Sequence, residues 1–164
     1  MQTWQKAALT PMSPDRDARA EPGLVGTWRL VGIERPGSDP SQDPFGPSPM
    51  GYIIYTPEGY MAADFMGSGR SPFGGSPAGA ADEIVAAAAR GYHSYCGRYQ
   101  TRGDSVIHQV EVSLLPHEVG TTKIRQFEVN GDVLVLTVIA DGGGVDPPRP
   151  LASLRWRRSC AQHK

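Results

Sequence analysis

Residues 92–115 read YHSYCGRYQTRGDSVIHQVEVSLL, and the fold turns on how this stretch pairs with itself. Taken two at a time, its second half separates into two rows. One is Val106, His108, Val110, Val112 and Leu114; the other is Ile107, Gln109, Glu111 and Ser113. Alternation of this kind marks a half-buried strand, and the first row is its buried face. The first half separates into His93, Tyr95, Gly97, Tyr99 and Thr101 against Tyr92, Ser94, Cys96, Arg98 and Gln100. A two-residue turn at Gly103-Asp104, with glycine first as type II′ requires, sets Arg102 opposite Ser105. Tyr99 then faces His108, Gly97 faces Val110 and Tyr95 faces Val112. A slip of one residue would bury Arg98 and Gln100 beside the valines, at a cost of kilocalories each. The pattern therefore predicts a histidine in the middle of a valine row, beside Tyr99, on an inner face.

The pattern extends in both directions. LVGTWRLVGIE (24–34) reads as a strand, and YIIYTPEGYMAADFM (52–66) as a hairpin about TPEG, with proline at a favoured turn position. In that hairpin Met61, Ala63 and Phe65 are expected inward and Asp64 at the surface. Further strands are expected at 122–129, 132–139 and 151–158, the first two joined at Asn130-Gly131. This turn pairs Val129 with Asp132, Phe127 with Leu134, and Arg125 with Leu136. The row Lys123, Arg125, Phe127, Val129 is the more apolar at its turn end, so Phe127 faces inward and carries Arg125 with it. ADEIVAAAARGY (81–92) is the one convincing helix, with Asp82 as N-cap and Gly91 as its stop.

Eight antiparallel strands joined mostly by short turns predict an all-β fold. The simplest closure is an eight-stranded up-and-down barrel, wide enough to hold side chains or one small ligand. The helix and the loop before it would form a lid at one mouth. An open sandwich is the alternative. Residues 1–22 are polar and aperiodic and are expected to be a disordered tail, leaving 23–160 as the barrel domain.

Composition narrows the partners. The chain has 164 residues, with 16 basic and 17 acidic side chains and a net charge of −1. No basic stripe stands out, so nucleic acid is not an expected partner. No apolar run approaches the roughly 20 residues that cross a bilayer, and the N-terminal stretch lacks the apolar core of a secretory signal. The two cysteines, Cys96 and Cys160, have no CxxC spacing. Reduced thiols in a cytoplasm are the expectation, with a disulfide between them left open. The 20 glycines and 15 prolines crowd into 36–51, 67–79 and 142–150, which read as loops.

Several residues invite a chemical reading, each with a plainer one beside it. His108 is either a satisfied core histidine, with the Tyr99 hydroxyl as the candidate partner, or an acid–base group facing a ligand. Burial should hold its pKa below the usual ~6.5. Tyr95 and Tyr99 are packing residues with polar tips, or hydroxyls that donate to a carbonyl or developing enolate. Arg125 is half of an internal ion pair, or a fork that recognises a carboxylate or enolate oxygen. His93 is left between lumen and surface. The four histidines, His93, His108, His117 and His163, show no HxH or HExxH spacing, so neither a metal nor a cofactor is expected. Arg102-Gly103-Asp104 is accounted for as a hairpin turn, and GSGRSPFGG lacks the context of a phosphate loop.

LVGTWRLVGIE, GYIIYTPEGYMAADFM, AAAARGYHSYCGRYQ, HQVEVSLLPHEVGTTKIRQFEVNGDVLVL and the closing LRWRR resemble, in order and spacing, the bacterial and fungal lipocalin-like domain family. The likeness runs from Leu24 to Arg158. Gly26-Thr27-Trp28 is also similar to the Gly-X-Trp signature of true lipocalins. There the Trp packs at the closed end against an Arg of the last strand, a part the resemblance offers to Arg155 or Arg157. The resemblance implies a barrel around a pocket for a hydrophobic or amphipathic small molecule. Related barrels serve as carriers and as cyclases or isomerases of natural products, and the Ala-, Gly-, Pro- and Arg-rich composition suits secondary metabolite biosynthesis in a high-GC bacterium.

Two functions follow as expectations. The first is a cofactor-free cyclisation or isomerisation, in which Arg125 and Tyr99 hold an oxygen and His108 moves a proton. Tyr95, Phe127, Val110, Met61, Leu136 and Trp28 would contact the ligand. The second is a carrier, sensor or sequestering protein without chemistry. The oligomeric state is open, a homodimer included.

Overall fold

The computed structural model describes residues 21–39, 43–139 and 150–159. Eight strands run β1 (Gly26–Glu34), β2 (Met50–Tyr55), β3 (Tyr60–Met66), β4 (Tyr92–Arg102), β5 (Ser105–Ser113), β6 (Thr122–Asn130), β7 (Val133–Ile139) and β8 (Pro150–Arg158). Each pairs antiparallel with the next, and β8 returns to β1, so the sheet closes in chain order as an up-and-down barrel. An open sandwich is excluded.

The connections sort themselves by length. Short turns join β2 to β3, β4 to β5 and β6 to β7, all at one end. Longer segments join β1 to β2, β3 to β4, β5 to β6 and β7 to β8 at the other. The short-turn end is closed by residues 21–25, which form a turn in which Leu24 N–H donates to the Glu21 carbonyl at 2.8 Å. Trp28 is wholly buried there, and its Nε1 donates to the Leu24 carbonyl at 2.8 Å. Arg158 lies over the Trp28 ring at 4.0 Å and donates to the Val25 and Gly23 carbonyls at 2.8 and 2.6 Å. Arg158 therefore takes the part offered to Arg155 or Arg157. Those two are exposed on β8, on the opposite side of the strand from Trp156.

The β4–β5 hairpin follows the expected register from its turn to Gly97. Arg102 pairs with Ser105, Tyr99 with His108 and Gly97 with Val110. Beyond it the register changes: Cys96 pairs with Val112 and Tyr95 with Ser113, leaving Glu111 as the extra residue of a β-bulge. Every side chain past the bulge changes face, so Val112 and Leu114, expected inside, are exposed. Gly97 makes this possible. A Cβ there would lie 1.9 Å from the Gln109 carbonyl oxygen and 2.9 Å from Glu111 N.

The β6–β7 hairpin also departs from its expected pairing. Asn130 pairs with Val133, Val129 with Leu134 and Phe127 with Leu136. The turn residues are thus Gly131-Asp132. Gly131 has φ +58° while no non-glycine residue among the described residues has positive φ, as a type II′ turn with glycine first demands. The shift is by two residues, so facing is unchanged: Lys123, Arg125, Phe127 and Val129 are the less exposed row of β6.

Among the described residues one α-helix, α1 (Asp82–Arg90), lies between β3 and β4. Its N-cap is Ala81, with no side-chain cap, and Asp82 is instead the first helical residue. Asp82 and Glu83 in the first turn and Arg90 in the last suit the helix dipole. Gly91 ends the helix, its N–H donating to the Ala87 carbonyl at 3.1 Å. Of the expected tail, Glu21 and Pro22 are in the closing turn; 1–20, Cys160 and most of the 142–150 loop lie outside the described residues.

Gly97→Ala should lower stability by about 1–3 kcal/mol, because the new methyl meets backbone. Gly69→Ala, with nothing within 4 Å of its Cβ position, should stay within about 0.5 kcal/mol of wild type. Urea denaturation of the two variants checks the comparison, and equal stabilities would contradict the bulge.

Candidate functional site

The barrel interior divides along its axis. Toward the short-turn end it is packed with Val106, Val110, Leu134, Tyr55 and Met61, all at most 3 % exposed. His108 is in this half and has no exposed surface. Its Nε2 is 2.8 Å from the Tyr55 hydroxyl and its Nδ1 is 3.0 Å from the Tyr95 hydroxyl. Tyr99 is its cross-strand neighbour but bonds elsewhere, donating to the Thr56 carbonyl at 2.8 Å. Tyr99 packs edge-on to Tyr55, with ring centroids 4.8 Å apart.

Toward the long-loop end the interior is hollow. A cavity of about 250 Å³ lies there, slightly below the ~300–1,000 Å³ typical of small-molecule sites. Strand residues Ile53, Ala63, Phe65, Leu136, Val138 and Leu154 supply apolar wall. Trp156, Ala152 and Phe45 complete it. The polar members are Arg35, His93, Tyr95, Lys123 and Arg125. Phe45 comes from the segment between β1 and β2, and packs on Phe65 with centroids 5.0 Å apart. Asp43 holds this segment in place: it pairs with Arg35 and accepts from the Phe45 N–H at 2.9 Å. The cavity wall takes no residue from α1, which was expected as a lid; the described residues of the β1–β2 segment on the wall are Arg35 and Phe45. A separate crevice of about 600 Å³ runs between α1 and the 43–47 and 67–71 segments. It is lined largely by Gly, Pro, Ser and Ala, and only Phe45 is common to both spaces.

Cations dominate the polar side of the cavity. Lys123 Nζ is 2.6 Å from Glu118 Oε1, and Ser113 donates to Glu118 Oε2 at 2.9 Å. Burial raises the Glu118 pKa, but the bonds from Lys123 and Ser113, together with the His93 and Lys123 charges, outweigh it and hold the carboxylate below its ordinary range. His93 Nε2 is 3.9 Å from the same carboxylate. Its pKa is lowered, chiefly by burial. Arg125 Nη1 donates to the Ile124 carbonyl at 2.7 Å and has no carboxylate partner among the described residues. Trp156 Nε1 is buried with no hydrogen-bond partner among them. Desolvation brings the His108 pKa down to about 3, with Arg125 and Lys123 adding to it, so the ring is neutral. Burial pushes Tyr95 up to about 12 against the Arg125 charge, so its hydroxyl keeps its proton.

Of the residues singled out in the sequence, Arg125, Tyr95 and Leu136 line the cavity, and so does His93. His108, Tyr99, Val110, Met61, Phe127 and Trp28 do not. His108 occupies the satisfied core position that was the plainer of its two readings, although its partners are Tyr55 and Tyr95 rather than Tyr99. Arg35, Phe45 and Lys123 were not read as site residues. Lys123 was visible on the Arg125 row; Arg35 and Phe45 sit in a loop whose packing no periodicity encodes. Asp64 is at the surface as expected, accepting from Tyr92 and Ser94 at 3.0 and 2.6 Å. Among the described residues, no group of three or more His, Cys, Asp or Glu side chains is placed to hold a metal ion, and no helix is long and apolar enough to cross a membrane.

A family model for the lipocalin-like domain matches residues 25–159. The chain belongs to the lipocalin-like domain family. It is also 36% identical over 66 residues to the 4'-hydroxy-3'-methoxypropiophenone carrier protein ppsC of Aspergillus oryzae, a match spanning 35% of this chain and 60% of that protein. Among solved structures it is similar to the lipoprotein YedD of Klebsiella pneumoniae subsp. pneumoniae. The TM-score is 0.43 at 12% identity, covering 88% of this chain and 80% of that one.

An unfolded histidine ionises near pH 6.5, whereas folded His108 stays neutral down to about pH 3. Between these values the unfolded chain binds a proton that the folded chain refuses. The stabilisation is complete above about pH 6.5 and is lost as pH falls toward 3, by up to ~5 kcal/mol. Urea denaturation between pH 7 and 4 should show the decline. His108→Leu, less stable overall, should show a shallower one, and equal slopes would place the titration elsewhere.

Proposed function

We propose that this barrel binds and carries a small amphipathic molecule of one or two rings without transforming it. The observation that carries this reading is the half-hollow interior: an apolar cavity flanked on one side by Arg125, Lys123 and Tyr95. Aromatic and aliphatic walls favour a flat apolar body. The cationic side favours an oxygen that is anionic or strongly polarised. The relative named as a carrier of 4'-hydroxy-3'-methoxypropiophenone supports the choice, since that name describes an aromatic ring bearing a phenol, an ether and a ketone.

A cofactor-free cyclisation or isomerisation is the rival. It retains Arg125 to hold an oxygen but needs a group that moves a proton at the ligand. His108 is poorly suited to this, being off the cavity wall with both ring nitrogens engaged by phenols. His93 is the imidazole on the wall and would have to serve.

Calorimetric titration with 4'-hydroxy-3'-methoxypropiophenone as probe tests the binding. Wild type should bind it, and Arg125→Gln should bind the phenolate form about 10- to 100-fold more weakly. Mass spectrometry after prolonged incubation should recover the probe unchanged. Conversion of the probe would favour the rival, and unaltered affinity in Arg125→Gln would remove the cationic side from the account.

A further inference from the structure

The Tyr55–His108–Tyr95 chain has two possible proton polarities, and the surroundings favour one. A neutral imidazole carries one N–H and one bare nitrogen. Hence one tyrosine donates to His108 and the other accepts from it. The accepting tyrosine must send its own hydrogen somewhere else. Tyr55 is 1% exposed and is not part of the cavity wall. The described residues give its hydroxyl one polar partner, His108 Nε2. If Tyr55 accepted there, its hydrogen would be buried without an acceptor, a penalty folded proteins rarely carry. Tyr95 differs in that it belongs to the wall.

We propose that Tyr55 donates to His108 Nε2, that His108 donates through Nδ1 to the Tyr95 oxygen, and that Tyr95 presents its hydrogen to the cavity as a donor for a neutral acceptor oxygen of the bound molecule. The ligand class this selects is an aryl carbonyl compound. His108 and Tyr55 are positioning residues: they touch no ligand but fix which way the Tyr95 hydroxyl points. The low His108 pKa and the high Tyr95 pKa, both set chiefly by burial, keep the chain in this charge state across the neutral range. The proton polarity stands on the free protein, while the ligand half rests on the binding function proposed above.

Two measurements separate the halves. Long-range proton–nitrogen NMR of the free protein reads which ring nitrogen of His108 carries the hydrogen. Nδ1–H is expected, and Nε2–H would overturn the polarity whether or not anything binds. The second compares the ketone probe with the analogue in which the carbonyl is a methylene. Wild type should prefer the ketone by about 3- to 10-fold. Tyr95→Phe should lose that preference while still binding both, because the Arg125 side is intact. A preference that survives in Tyr95→Phe would overturn Tyr95 as the donor. Failure of wild type to bind either molecule would overturn the ligand half and the binding function with it, leaving the polarity to the NMR result.

Discussion

A neutral imidazole clamped between two phenols, with Tyr55 on one nitrogen of His108 and Tyr95 on the other, marks where the filled part of this barrel ends. An eight-stranded barrel has little room: side chains can fill it, or it can hold one small molecule. Here it does both. Below the imidazole the inward rows carry valine, leucine, tyrosine and methionine and close on themselves. Above it they carry Ala63, Ala152 and Val138 among larger residues, and the volume is left open. A buried polar group costs little only when its partners are complete. The clamp thus lets a polar chain start in the core and end at the cavity wall.

The bulge at Glu111 serves the same division. Without it, β5 would keep Val112 and Leu114 turned into the barrel and would fill the mouth with aliphatic side chains. With it, they turn outward and Ser113 comes opposite Tyr95, where it helps to hold Glu118. Glu118 in turn takes up the charge of Lys123. Arg125 is left without a carboxylate among the described residues, and this imbalance is the basis of the proposed preference for electron-rich oxygen.

Much of this was legible in the sequence, and the failures have specific causes. Period-two alternation with a Gly-Asp turn was enough to place His108 beside Tyr99, because one-residue slips bury charge. Closure was legible from the number and order of strands. The bulge was not, although glycine inside a strand is its usual mark and Gly97 stood in view. Asn-Gly suggested the wrong turn residues, since the choice between Asn130-Gly131 and Gly131-Asp132 rests on φ at Asn130, which composition does not reveal. Arg158 was passed over for Arg155 and Arg157 because which arginine faces Trp28 depends on the β1–β8 register, a pairing between the two ends of the chain. Tyr55, the residue that completes the clamp, is 53 positions from His108. Arg35 and Phe45 reach the cavity through a loop, where neither alternation nor helical spacing applies.

The most direct check on a half-hollow barrel is methyl NMR during titration with an aromatic ketone. The account predicts shifts at Ala63, Leu136, Val138, Ala152 and Leu154, with Val106, Val110 and Leu134 silent. Shifts confined to Ile84, Ala87 and Ala88 of the helix, or spread through the Val106–Val110 core, would contradict it.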